Sequence, residues 1–266
     1  MRYLLITDTH GSLDIINSTA QAERADVVLH AGDFGFYDHG SPERLTDREL
    51  ALRITHSPLP ERERKRAFNM SRESMLKLIH ERLPLSDLPR FEQGGPAKFQ
   101  VPVYAVWGNH EDIEVLRMLR DGRKVVPNLH LLDERRMHTV GGVRVLGLGG
   151  NVYAGNHLLR GPLQGEGGKV AATLSEMARL YELVQKAPPS RATVFVSHVS
   201  SGKEPMIRKL AALLGADVWV SGHMGSPYTC VWSEFAIRTP DEADAMLKTW
   251  ELAYFKSSGL RLFYVL

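Results

Sequence analysis

Apolar residues fall in short unbroken blocks at 2–7 (Arg-Tyr-Leu-Leu-Ile-Thr) and 26–31 (Asp-Val-Val-Leu-His-Ala), with a stretch of helical spacing between them. Blocks of four to eight apolar residues suit strands buried on both faces of a sheet, so this opening reads as a β-α-β unit. Residues 101–107, 193–197 and 217–221 repeat the theme, and each block is followed closely by Gly, Asp or His. Helical periodicity marks 15–24, 66–82, 113–119, 171–186 and 205–214, the last closed by Gly215 as a C-terminal cap. Residues 143–148, 229–238 and 252–265 read as strands and hairpins. Parallel units are therefore expected in the middle of the sheets, with antiparallel strands closing the chain.

The stretch 38–100 departs from this rhythm. It holds the helical segment 66–82 between Ser57-Pro58-Leu59-Pro60 and Gly94-Gly95-Pro96, and reads as an inserted helical subregion able to cap a crevice. Connections of this length often serve as lids. No linker divides the 266 residues, which are expected to form one domain (1–266).

Composition narrows the class without naming a chemistry. Hydrophobic residues make up 43% and charged residues 24%, ordinary globular values. The net charge of +2 is too small to argue for nucleic acid or an anionic membrane, and the basic run Arg62-Glu63-Arg64-Lys65-Arg66 reads as a solvated helix face. The single cysteine, Cys230, excludes an internal disulfide and reads as a small buried apolar group. No apolar run approaches the length of a membrane span, and the chain opens as a strand rather than a leader peptide. A cytoplasmic protein is expected.

The chemistry lies just past the strand blocks. Asp8-Thr9-His10, Gly32-Asp33, Gly108-Asn109-His110-Glu111, Ser197-His198 and Gly222-His223 each follow one. In open α/β sheets, ligands gather beyond the carboxyl ends of strands. Carboxylate oxygens and imidazole nitrogens suit divalent Mn, Fe, Zn or Mg, and the lack of clustered cysteines argues against a thiolate site. Asp8 and His10 can reach one cation from a strand-end turn, and Asp33 can bridge two with its two oxygens. Asn109 offers an amide oxygen, and His198 and His223 offer imidazoles. One cation would take Asp8, His10 and Asp33, the other Asp33, Asn109, His198 and His223.

This pattern resembles the calcineurin-like metallophosphoesterase superfamily, whose motifs run DxH, GD, GNH, a single His after a strand, and GHxH. Each motif alone is weak, but five in the family's order at strand ends form a strong signal. The resemblance implies a four-layer sandwich, two mixed sheets face to face with helices outside. It also implies two divalent metal ions whose bound hydroxide attacks phosphorus, with His110 protonating the leaving oxygen. An imidazole can serve as a general acid near neutral pH. The implied partner is a phosphoester substrate, whether a small molecule, a nucleotide or a phosphoprotein. A degenerate member acting as a nucleotide- or protein-binding module is the alternative. A nuclease lacks an evident basic groove.

Two departures stand out. The last motif reads Gly222-His223-Met224-Gly225, so Gly225 replaces the family's second histidine, which completes the first metal site. In the family Gly-Asp is often followed by a further Asp and Arg or Gly, whereas here the run after Asp33 is Phe34-Gly35-Phe36-Tyr37-Asp38-His39. His39 or His157 could fill the vacant ligand position, and Asn151, His157 and His39 are candidate substrate contacts.

The remaining residues have plainer readings. Glu111 suits a helix start, where a negative charge favours the dipole. His30 reads as a core histidine, His56 and His80 as surface, and His130 and His138 as structural. Tyr228, Trp232 and Phe235 read as packing residues of closing strands.

Overall fold

The protein is described from a computed structural model. It covers residues 1–153, 155–166, 168–199 and 204–223, with 230–232 and 263–265 as backbone strands. Among these residues, no helix is long and apolar enough to cross a membrane.

Twelve strands and nine α-helices are described. The strands are β1 (Tyr3–Ile6), β2 (Val27–Ala31), β3 (Val103–Val106), β4 (Leu129–Leu131), β5 (His138–Val140), β6 (Val143–Leu148), β7 (Gln164–Glu166), β8 (Lys169–Ala171), β9 (Thr193–Ser197), β10 (Val218–Ser221), β11 (Cys230–Trp232) and β12 (Phe263–Val265). The helices are α1 (Asp14–Ala22), α2 (Ser41–Arg44), α3 (Asp47–Thr55), α4 (Glu61–Arg64), α5 (Arg72–Arg82), α6 (Leu88–Phe91), α7 (Ile113–Arg120), α8 (Leu174–Gln185) and α9 (Pro205–Leu213).

Two sheets dominate. One is parallel throughout in the order β1-β2-β3-β4, and the other runs β11-β12-β10-β9-β6-β5. In the second, β6, β9, β10 and β12 run parallel, while β5 and β11 pair antiparallel at its edges. Parallel middles are what the sequence pattern predicts; of the strands expected to close the chain antiparallel, β11 pairs so with β12, while β12 runs parallel to β10. Alternation along each strand divides its side chains between two layers. In β2, Val27, Leu29 and Ala31 meet Val194 and Val196 of β9 and Val145 of β6 between the sheets, whereas Val28 faces Leu13 and Ile16 by α1. In β9, Phe195 instead packs with Leu180 of α8, Leu210 of α9 and Trp219. The result is the expected four-layer sandwich, each fully buried Val or Leu contributing ~1.5–3 kcal/mol over its exposed state.

Local signals explain two shifted helix boundaries. Helical spacing from 66 predicts one long helix, but a 3-10 turn at Ala67–Asn69 intervenes and α5 begins after Ser71, whose side chain accepts from the Ser74 N–H. Likewise α8 begins not at Ala171, which closes β8, but after Thr173, which forms a capping box with Glu176. Helices α2 to α6 occupy the stretch between β2 and β3. Those from α2 to α5 enclose a core of their own around Tyr37, Leu50, Ile54, Met75 and Ile79. Of the closing segments read as strands, β11 and β12 are seen as an antiparallel pair; 224–229 and 233–262, with Gly225, Tyr228 and Phe235, lie outside the described residues, as do the side chains of Cys230 and Trp232.

Candidate metal centre and its roof

The five motifs meet at one end of the sandwich, past the carboxyl ends of β1, β2, β3, β9 and β10. The turns that hold them are unusual. Seven described non-glycine residues have φ in the left-handed region, and four are Asp8, His10, Asp33 and His223. Such backbone costs of order 1–3 kcal/mol per residue and clusters where function requires it. The glycines permit close approach: a Cβ on Gly32 would lie 2.6 Å from His198 Nδ1, and one on Gly108 would collide with the Asp33 carboxylate.

A network of bonds fixes the candidate ligands. Ligand atoms of Asp8, Asp33 and His198 lie within 4.8 Å of one another. The Asp8 carboxylate accepts from Thr7 Oγ1 at 2.6 Å and from the His223 N–H at 3.2 Å. Asp33 Oδ1 accepts from the His110 N–H at 3.0 Å, while Oδ2 lies 4.0 Å from His10 Nδ1 and 3.6 Å from His198 Nε2. Burial works to raise the Asp33 carboxyl, but His198, His10, His110 and that N–H hold it below its ordinary value. Burial keeps His10 below the usual imidazole value, with Asp33 opposing and Arg53 assisting.

The donor chemistry fits divalent cations. His198 Nδ1 lies 3.1 Å from the Ala31 carbonyl, which can only accept, so Nδ1 carries a proton and, in the neutral ring, Nε2 offers a lone pair. That lone pair faces Asn109 Oδ1 at 3.0 Å and Asp33 Oδ2 at 3.6 Å, both acceptors, with His223 Nδ1 at 3.1 Å. Lone pairs converging in a buried space repel one another until a cation sits among them. Asn109 and His198 are fully buried, so water cannot readily screen the repulsion.

Glu111 has a different task from the one its sequence position predicts. Helix α7 begins at Ile113 and its N-cap is Asp112, which accepts from the Glu114 N–H, so Glu111 does not serve the dipole. Its buried carboxylate instead gathers the N–H groups of Phe34 (2.8 Å), Gly35 (3.1 Å), Phe36 (2.6 Å) and Gly108 (3.3 Å). It thereby clamps the turn after Asp33 to the turn before Asn109. Burial and the Asp33 charge push it up to about 8, against the pull of those donors.

Helices of the β2–β3 connection form the roof. The cleft over the ligands, about 420 Å³, is lined by Asp8, His10, Asp33, His110 and His223 from below and by Leu52, Arg53 and His56 of α3 and its end from above. His56 is exposed, as expected of a surface residue, but stands at the mouth of this cleft. Buried Glu49 of α3 places Oε2 2.6 Å from His110 Nδ1, and the Tyr37 hydroxyl donates to the His110 carbonyl. Neither Glu49 nor Arg53 belongs to a motif, and no sequence signal beyond the insertion itself pointed to them. A larger cavity of about 780 Å³ lies among α4 and α5, lined by Glu63, Arg66 and Lys77 among others, but holds none of the ligand set.

The other candidates lie elsewhere. His39 is exposed and outside the cleft lining. His157 is buried edge-on to Tyr153, ring centroids 6.0 Å apart. Asn151 joins β8 through a bridge to Ala171, and its side chain accepts from the Val152 N–H. His30 is buried and held to about 3, mainly by burial. His130 stacks on Tyr104, with His138 edge-on to the same ring, and His80 is an exposed partner of Glu43.

A two-sheet sandwich with carboxylate, amide and imidazole groups gathered at its strand ends defines a class of metal-binding α/β hydrolases. The family profile of calcineurin-like phosphoesterases matches residues 1–227, and the chain belongs to that family. A solved crystal structure covers 85% of this chain and 84% of its own at TM-score 0.51 and 16% identity, a likeness of fold. No curated protein matches the chain. Members of the family are in general metal-dependent phosphoester hydrolases that bind divalent metals.

Proposed function

We propose that this cleft hydrolyses phosphoesters with two divalent cations, held by Asp8, His10 and Asp33 on one side and by Asp33, Asn109, His198 and His223 on the other. The observation that carries the reading is the convergence of the His198 lone pair with Asn109 Oδ1 and Asp33 Oδ2 in a buried space. Bound cations would supply Lewis-acid stabilisation of phosphoryl charge and activate water. The chain's own residues do the rest. The Glu111 clamp keeps the Asp33 and Asn109 turns in register. His110, 22% exposed at its side chain, faces the cleft and can deliver a proton to a leaving oxygen. Glu49 at its Nδ1 orients the ring and leaves Nε2 for the substrate. The roof from α3 limits water around the reacting group.

Gly225 lies outside the described residues, and the site containing Asp8 and His10 is the one it would weaken. Elemental analysis of metal per chain, with hydrolysis of chromogenic phosphoesters in added Mn²⁺ by wild type, Asp33→Ala and Gly225→His, tests the assignment. One tightly held cation, a second taken up on titration, and turnover abolished by Asp33→Ala are the expected results. Gly225→His should tighten the second uptake. No uptake and no turnover by wild type would sink the hydrolase reading in favour of a binding module.

A further inference from the structure

Among the described residues, Arg53 is the cation that lines the cleft over the candidate ligands. It stands on α3 one helical turn after Glu49, so both side chains descend from one face of the roof. Its guanidinium lies 4.4 Å from the centroid of the Tyr37 ring, and one terminal nitrogen is 3.4 Å from His10 Nδ1. The side chain lines the cleft with Asp8, His10, Asp33, His110 and His223. Yet its Nε and its other terminal nitrogen are buried and meet no acceptor among the described residues. A guanidinium offers five N–H donors and accepts nothing, so buried N–H groups left bare are costly. The stacking on Tyr37 orders the group in advance, and the bare donors await an anion.

We propose that Arg53 is the substrate's phosphate anchor and that it selects phosphomonoesters over phosphodiesters. This rests on the two-cation reading above. When two cations each draw one unesterified oxygen of the phosphoryl group, a diester has none left, because both its remaining oxygens carry carbon. A monoester keeps a third, and the Arg53 guanidinium lining the cleft is the fixed cation the roof offers it. Its second negative charge also favours a cleft with an added fixed cation. The anchor comes from the inserted segment rather than from the run after Asp33, where Phe34 to His39 holds no arginine.

Wild type, Arg53→Ala and Arg53→Lys, loaded with Mn²⁺, should be compared on p-nitrophenyl phosphate and bis(p-nitrophenyl) phosphate and titrated with inorganic phosphate by calorimetry. Circular dichroism and metal content confirm that each variant folds and loads. Arg53→Ala should raise KM for the monoester and Kd for inorganic phosphate by about tenfold to a hundredfold, the worth of one charged hydrogen bond. The monoester kcat/KM should fall about tenfold or more further than the diester kcat/KM, and Arg53→Lys should recover part of the phosphate affinity. Equal losses on both esters, or an unchanged phosphate Kd, would overturn the anchor. A wild type that cleaves neither ester defeats the hydrolase reading alone, and the phosphate titration then judges the anchor.

Discussion

Acid should weaken this fold through His30. Thr9 Oγ1 donates to the Phe34 carbonyl at 3.0 Å, so it must accept from His30 Nε2, also at 3.0 Å. His30 Nδ1 in turn accepts from the Gly32 N–H at 3.3 Å. The ring is therefore neutral, and a proton added at Nδ1 would face a donor in a dry core. Burial first, then the neighbouring His198, lowers the ring from 6.5 to about 3. A depressed folded value means that the unfolded chain takes up the proton first, so stability is full above ~6.5 and is lost as pH falls toward about 3. At ~1.4 kcal/mol per unit, the whole effect is ~5 kcal/mol, of which roughly half is felt by pH 4.5. Urea unfolding of metal-free protein at pH 7.5 and 4.5, for wild type and His30→Gln, isolates it. The glutamine keeps a donor for Thr9 and cannot titrate, so other groups cancel in the difference. Wild type should lose ~2–3 kcal/mol more than the variant between the two pH values. Parallel losses, agreeing within ~0.5 kcal/mol, would show that His30 does not stay neutral for the reasons given.

Two further outcomes follow from the network around the ligands. Glu111→Ala would strand the N–H groups of Phe34, Gly35, Phe36 and Gly108, each costing ~1–3 kcal/mol when buried and unpaired. Urea melts should show a loss above ~3 kcal/mol together with weaker metal uptake; an unmoved midpoint would refute the clamp. Glu49→Gln should lower kcat by about tenfold or more on alkyl phosphates, whose leaving oxygen needs a proton, and far less on p-nitrophenyl phosphate. Equal effects on both would mean that Glu49 does not act through His110.

The layer order and the convergence of the five candidate turns at one end of the sandwich were legible because both depend on local pattern. Apolar blocks such as Val27 to Ala31 admit little but a buried strand, and the polar groups that follow must then sit at sheet ends. Glu111 misled because a carboxylate before a helix ordinarily serves the helix, whereas here it reaches back 75 to 77 residues to close another turn. Glu49 and Arg53 were silent for a related reason. Their spacing on α3 is that of any amphipathic helix, and only the packing of the insertion over the strand ends gives them a task.

That packing divides the molecule into parts with separate fates. The candidate ligand groups come from turns between core strands, locked by Glu111 and by backbone that tolerates few substitutions. The roof comes from a detour between β2 and β3 with a core of its own. Changes confined to the detour would therefore reshape the space above the cleft while leaving the strand-end turns beneath it in place.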